Sequence, residues 1–146
     1  ASVASGSFRA DLGYRLQVHP RKAREFKGHH YMVFNKNVSW VEARRRCRQM
    51  GGYLACVTSR EENRFLKRLA RGVVWLGATD ENEEGVWRWI TGEESTFTDW
   101  QKGQPDNAND GEDWLTLNPG RGRRDQGSWS DSGPTAKRRF VCEWEY

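Results

Sequence analysis

An α+β domain is the fold class this sequence predicts, and three observations carry it. Two Ser-x-x-Glu signatures, Ser39-Trp40-Val41-Glu42 and Ser59-Arg60-Glu61-Glu62, mark helix starts in the first half. Strand-like apolar runs, Val73 to Ala78 and Arg139 to Trp144, belong to the second half. Between those runs, Asp99 to Gly111 is too polar and too rich in Gly, Pro and Asn for a regular element. Helices first, short strands later and a long loop give an α+β domain with a loop-built functional surface.

Each element follows from local chemistry. Residues 1 to 25 carry only scattered apolar side chains and read as a linker or a loosely docked arm. Periodicity begins at His30-Tyr31-Met32-Val33-Phe34, an aromatic and β-branched strand. From Ser39, Trp40, Ala43, Cys47 and Met50 fall on one helical face, and Gly51-Gly52 supplies a left-handed stop. Tyr53 to Val57 is a short strand. The second helix buries Phe65, Leu66 and Leu69 and is expected to end at Gly72. Gly85 to Trp89 alternates with period two, and Trp114 to Leu117 restores strand pattern after the loop.

Composition narrows the function. One domain's worth of chain with eight Trp can bury a full core, although hydrophobicity is only 36%. No apolar run approaches the roughly 20 residues of a membrane span, and the chain reads as soluble with any export signal already absent. Arginine clusters at Arg44 to Arg46, Arg121 to Arg124 and Lys137 to Arg139 read as solvated surface or as a contact for acidic glycans or another polyanion. The aromatics are not interleaved with those clusters, so no nucleic-acid platform is expected. Cys47, Cys56 and Cys142 permit one disulfide; with no CxxC pair, and His at 19, 29 and 30, a Cys/His zinc site is not expected.

The chemistry concentrates in Gln104-Pro105-Asp106, Gly111-Glu112-Asp113 and Trp129-Ser130-Asp131. Oxygen-bearing side chains on irregular backbone are what Ca²⁺ takes, roughly six to eight oxygens in loose geometry. Clustered carboxylates also repel one another unless a cation lies among them. Asp80-x-Asn82-x-Glu84-Gly85 imitates the start of an EF-hand, but its twelfth position is Thr91 and no helix leads into it.

Over residues 26–146 the chain resembles the C-type lectin-like domain family. The motifs that carry the resemblance run from Trp40-x-x-Ala43-x-x-x-Cys47 through Gly51-Gly52-x-Leu54-Ala55, Trp75-Leu76-Gly77, Trp100 and Gln104-Pro105-Asp106 to Gly111-Glu112-Asp113, Trp129-x-Asp131 and Phe140-Val141-Cys142-Glu143. The resemblance implies two helices on two small antiparallel sheets with a long Ca²⁺-binding loop region, and a disulfide between Cys47 and Cys142. It implies a cis Gln104–Pro105 bond and Gln104, Asp106, Glu112 and Asp131 as ligands of a sugar-site Ca²⁺. Ser130 stands where the family usually has Asn and is a shorter, poorer ligand. Gln104, Asp106 and Glu112 would also hydrogen-bond the sugar. Asp80, Glu84, Asn107 and Asp113 align with an auxiliary Ca²⁺ site, or form a solvated acidic turn.

The expected function is therefore Ca²⁺-dependent carbohydrate binding, without catalysis, in an extracellular or periplasmic setting. Gln-Pro-Asp implies galactose-type hydroxyl pairs, although Asn107 to Asp110 lacks the aromatic that usually accompanies them. The alternative is a protein-binding domain whose Ca²⁺ is structural. Weak single sites commonly act through multivalency, so an oligomer is compatible with either reading. The family's second disulfide falls at Trp114 and about Pro134, and Ca²⁺ is expected to take over part of its loop-fixing role.

Overall fold

A computed structural model describes residues 19–107, 111–120 and 127–146, together with the backbone of 4–5 and 8–9. The Arg121 to Arg124 cluster, residues 108–110 and most of the expected arm lie outside the described residues. Among the described residues, ten strands and two helices follow in chain order: β1 Ala4–Ser5, β2 Phe8–Arg9, β3 Arg24–Phe26, β4 His29–Val38, α1 Trp40–Gln49, β5 Tyr53–Leu54, α2 Arg60–Ala70, β6 Val74–Thr79, β7 Arg88–Trp89, β8 Trp114–Leu117, β9 Trp129–Ser132 and β10 Arg138–Trp144.

β1 and β2 pair with each other. The remaining strands form one eight-stranded sheet with the path β3-β4-β10-β6-β8-β9, to which β5 adds on β10 and β7 on β6. The two small antiparallel sheets implied by the resemblance are thus joined, because β10 and β6 run parallel at Arg139–Val74 and Phe140–Trp75. β3 crosses the expected boundary at residue 26, and His19 N–H donates to Tyr146 C=O at 3.1 Å.

Strand alternation explains two cores. Val74, Leu76 and Val141 enter one cluster with Leu66 and Ala70 of α2. Their neighbours Trp75, Phe140 and Cys142 enter the other, with Trp40, Ala43 and Cys47 of α1. Both faces of β6 and β10 are therefore covered, and each helix buries its own stripe. Cys47–Cys142 bonds α1 to β10 across 95 residues of chain. A loop of that length corresponds to about 4.7 kcal/mol of chain-entropy stabilisation. Cys56 is a buried free thiol, as its core setting predicts.

Both serine caps form: Ser39 accepts from Glu42 N–H at 3.2 Å and Ser59 from Glu62 N–H at 3.1 Å. The reciprocal halves differ, since Glu42 binds Arg45 and Arg46 while Glu62 accepts from Thr58 N–H. At the end of α2 the left-handed residue is Arg71 (φ 53°), not Gly72. Gly77 is needed for close approach, because a Cβ there would stand 2.4 Å from Leu54 O. Trp114 is half-buried and packs on the α1 core, its ring 6.3 Å from that of Trp40.

Candidate metal and ligand site

Strand pairing builds the first carboxylate cluster. Thr79 at the end of β6 pairs with Trp114 at the start of β8, which makes Asp80 and Asp113 neighbours. Asp80 N–H and Thr79 Oγ1 both donate to Asp113 C=O, at 3.1 and 2.7 Å. A turn closed by Glu83 N–H on Asp80 C=O brings Glu84 back toward them. One oxygen each from Asp80, Glu84 and Asp113 then lies within 4.8 Å of the others. Gly85 N–H donates to Asp80 Oδ2 at 2.8 Å, but Oδ1 is buried without a donor. Glu84 and Asp113 are both pushed above the ordinary carboxylate range, by desolvation first and then by contact with Asp80 and its charge.

The second cluster joins the loop to β9. Asp106, Glu112 and Asp131 also bring one oxygen each within 4.8 Å. Asp131 is buried in β9 and accepts from the N–H groups of Asp106 (3.2 Å) and Asn107 (2.8 Å). Gln104 Nε2 donates to Asp106 Oδ2 at 3.1 Å, and Gln104 Oε1 accepts from Asp131 N–H at 3.4 Å. The Gln104–Pro105 bond is cis. Asn107, aligned with the auxiliary ligands, is instead tied to this cluster: its Oδ1 accepts from Glu112 N–H at 3.1 Å. It occupies the left-handed region (φ 46°) that Asn tolerates better than most residues. Ser130 Oγ lies 2.7 Å from Thr116 Oγ1, so its short side chain is engaged across β8 and β9.

A network that sequence reasoning missed anchors the loop. Buried Asn63 of α2 donates to Asp99 Oδ2 (2.9 Å) and Ser128 Oγ (3.2 Å), and accepts from Trp129 Nε1 (2.8 Å). Gln101 N–H donates to Trp129 C=O at 2.8 Å, fixing the residues that lead into Gln104. Gly127 permits this approach, since a Cβ there would stand 2.0 Å from Trp100 O. The available signal was Asn63 itself, a polar residue in register with Leu66 and Ala70 on the buried face of α2.

Both clusters consist of oxygen donors alone on loop and strand-end backbone, the set a hard cation takes. Asp80 Oδ1, enclosed with no N–H to accept from, is an acceptor suited to a positive ion. The residues present fit Ca²⁺. Clusters of this composition, at one end of β8, invite comparison with known domains. A family model of the lectin C-type domain matches residues 36–144.

The chain belongs to the C-type lectin domain family. Hepatic lectin of Gallus gallus is 31% identical over 144 residues, covering 94% of this chain and 65% of that protein. The chain therefore spans just under two thirds of that relative. Among solved structures, the C-type lectin CEL-I of Cucumaria echinata has a TM-score of 0.78 at 26% identity, covering 86% of this chain and 96% of that one. A Ca²⁺-dependent type II antifreeze protein, in its Ca²⁺-free form, has a TM-score of 0.77 at 29% identity, covering 86% and 99%. Domains of this family are in general non-catalytic, Ca²⁺-dependent carbohydrate binders and typically extracellular or secreted. Among the described residues no helix is long and apolar enough to cross a membrane.

Proposed function

We propose that this domain is a Ca²⁺-dependent carbohydrate-binding module whose sugar site is built from Gln104, Asp106, Glu112 and Asp131. The observation that carries the reading is the convergence of Asp106, Glu112 and Asp131 from loop and strand onto one point. Bound Ca²⁺ would supply a charge whose open coordination positions accept two neighbouring sugar hydroxyls. The protein's part is orientation. Asp131 is fixed by two backbone N–H groups, and Gln104 links Asp106 to β9. Gln104 brings an amide donor and Asp106 only acceptors when ionised, the asymmetry behind the proposed galactose-type preference. Asp80, Glu84 and Asp113 would hold an auxiliary ion. The setting would be extracellular, where the Cys47–Cys142 bond persists.

Calorimetric titration with CaCl₂, followed by galactose and then mannose, tests this. Galactose should bind only with Ca²⁺ present, and Asp106→Ala should lose both ion and sugar. Undiminished galactose binding in chelator would overturn the mechanism, and stronger retention of mannose would overturn the preference. One observation favours a second reading, a protein-binding domain with structural Ca²⁺: the Ser130 hydroxyl is already engaged by Thr116. Ca²⁺ binding without response to any glycan on an array would select it.

A further inference from the structure

Away from the carboxylates, a groove of about 470 Å³ opens between β3 and the C-terminal half of α2, lined by Arg24, Phe65, Arg68, Leu69 and Arg71. Phe65, Arg68 and Leu69 share one face of α2, since residues three and four apart are neighbours on a helix. The Phe65 ring is held in place by Phe26, stacked at 4.7 Å, and by Tyr31 at 5.5 Å. Phe65 and Leu69 thus form a half-buried apolar floor, and the three arginines stand exposed around it. Arg71 adopts the left-handed conformation directly before a glycine. For a non-glycine residue that backbone conformation is strained.

Acids on the same elements do not neutralise these arginines. Glu25 Oε2 accepts from Gly28 N–H at 2.7 Å. Glu62 accepts from Thr58 N–H at 2.9 Å and Tyr31 OH at 2.7 Å. On α1 the opposite holds, because Glu42 takes Arg45 at 2.8 Å and Arg46 at 2.7 Å. Among the described residues Arg24, Arg68 and Arg71 have no acidic partner, and Lys27 Nζ adds a further cation over Phe26. The groove borders β3, one end of the sheet path, whereas Asp131 lies in β9 at the other. Five strand spacings separate those ends, on the order of 20 Å.

We propose that this groove is a Ca²⁺-independent site for a sulfated or uronate-bearing polysaccharide. Guanidinium forks match sulfate and carboxylate oxygens two by two. The apolar floor suits the C–H face of a sugar ring, which an inorganic anion would leave unused. The inference does not rest on the Ca²⁺ site, and chelator separates the two.

The test is affinity for size-defined heparin fragments in excess EDTA, at several salt concentrations. Fully desulfated fragments, polyglutamate and phosphatidylserine vesicles serve as competing probes. The fragments should bind in EDTA, and the Arg68→Gln/Arg71→Gln pair should weaken them at least tenfold with a shallower salt dependence. Arg71→Gly supplies the fold control: it relieves the left-handed strain, so melting temperature should hold or rise while fragment affinity falls. Arg45→Gln, in a paired arginine, should leave affinity unchanged. No binding in EDTA, equal binding by Arg68→Gln/Arg71→Gln, or vesicles or polyglutamate outcompeting heparin would each overturn the proposal.

Discussion

Glu143 and Asp80 are carboxylates at 1% and 3% exposure, yet their surroundings differ in kind. Glu143 accepts from Cys56 N–H (3.0 Å), Tyr53 OH (3.0 Å) and His29 Nδ1 (2.5 Å). Burial raises its pKa, and the bonds from His29, Cys56 and Tyr53 pull it part of the way back. Asp80 has a donor on one oxygen only, and its cluster-mates are the carboxylates Glu84 and Asp113. Two ionised carboxylates can share a proton or a cation, but neither can donate to the other. The contrast separates structure from function: a buried acid whose oxygens meet donors holds the fold together, and one that faces other acids is arranged for something from outside.

Removing Glu143 should have the largest effect on stability. Glu143→Ala strands the buried Cys56 N–H together with the Tyr53 hydroxyl, and unmet donors cost about 1–3 kcal/mol each. A loss of about 3–4 kcal/mol in urea unfolding is expected, whereas Glu143→Gln, which keeps an acceptor for Cys56, should lose about 1 kcal/mol. Equal losses for the two variants would show that volume, not donor satisfaction, matters there.

At the acid clusters the expected sign is reversed. In chelator, Asp80→Asn removes a charge from the cluster and should raise the melting temperature slightly. In the parent protein, Ca²⁺ at a hundredfold excess over its dissociation constant adds about 2.7 kcal/mol per site. For a domain of this size that is a rise of about 5–10 °C, and Asp80→Asn should shrink it. The rise would also measure how far Ca²⁺ fixes the loops around Trp114, which packs on the α1 core. If Asp80→Asn lowers the melting temperature in chelator, carboxylate repulsion is not what shapes the cluster.

The sequence showed most clearly what local chemistry decides. Ser39 and Ser59 were readable as caps because a cap needs only its own next three residues. β4 was read short, because exposed Asn35, Lys36 and Asn37 hide its continuation to Val38. β9 was missed because Trp129–Ser132 is held in register by β8 and not by its own propensity. The parallel β6–β10 contact joins residues some 65 apart and leaves no local trace. At the site, ordered motifs pointed to Asp106, Glu112 and Asp131, and the fold brings one oxygen of each within 4.8 Å of the others. The Asn107–Glu112 bond and the Asn63–Asp99–Ser128 anchor depend on loop geometry that no motif encodes.

The smallest expected effect, a pH dependence, tests the Glu143 side of the comparison. Burial alone would lower the pKa of His29, but its bond to Glu143 and the charges of Glu143, Glu145 and Glu62 outweigh that and raise it. A histidine with a raised folded-state pKa stabilises fully below its ordinary 6.5, and that contribution is lost as pH rises through the folded value. His30, stacked on His19 at 3.5 Å, is shifted the other way, by burial first and then by His19. Its folded state therefore loses stability as pH falls below 6.5. The two effects occupy opposite sides of 6.5, and the free Cys56 thiol, pushed well up by burial, loses stability only toward pH 8.5, so unfolding measured in EDTA between pH 6.5 and 7.5 isolates His29. The His29 side chain is 40% exposed, so solvent screening should hold the decline below about 1 kcal/mol. His29→Gln should flatten the decline while leaving any slope below pH 6.5 in place. A decline that survives this substitution would move the pH response away from the His29–Glu143 pair.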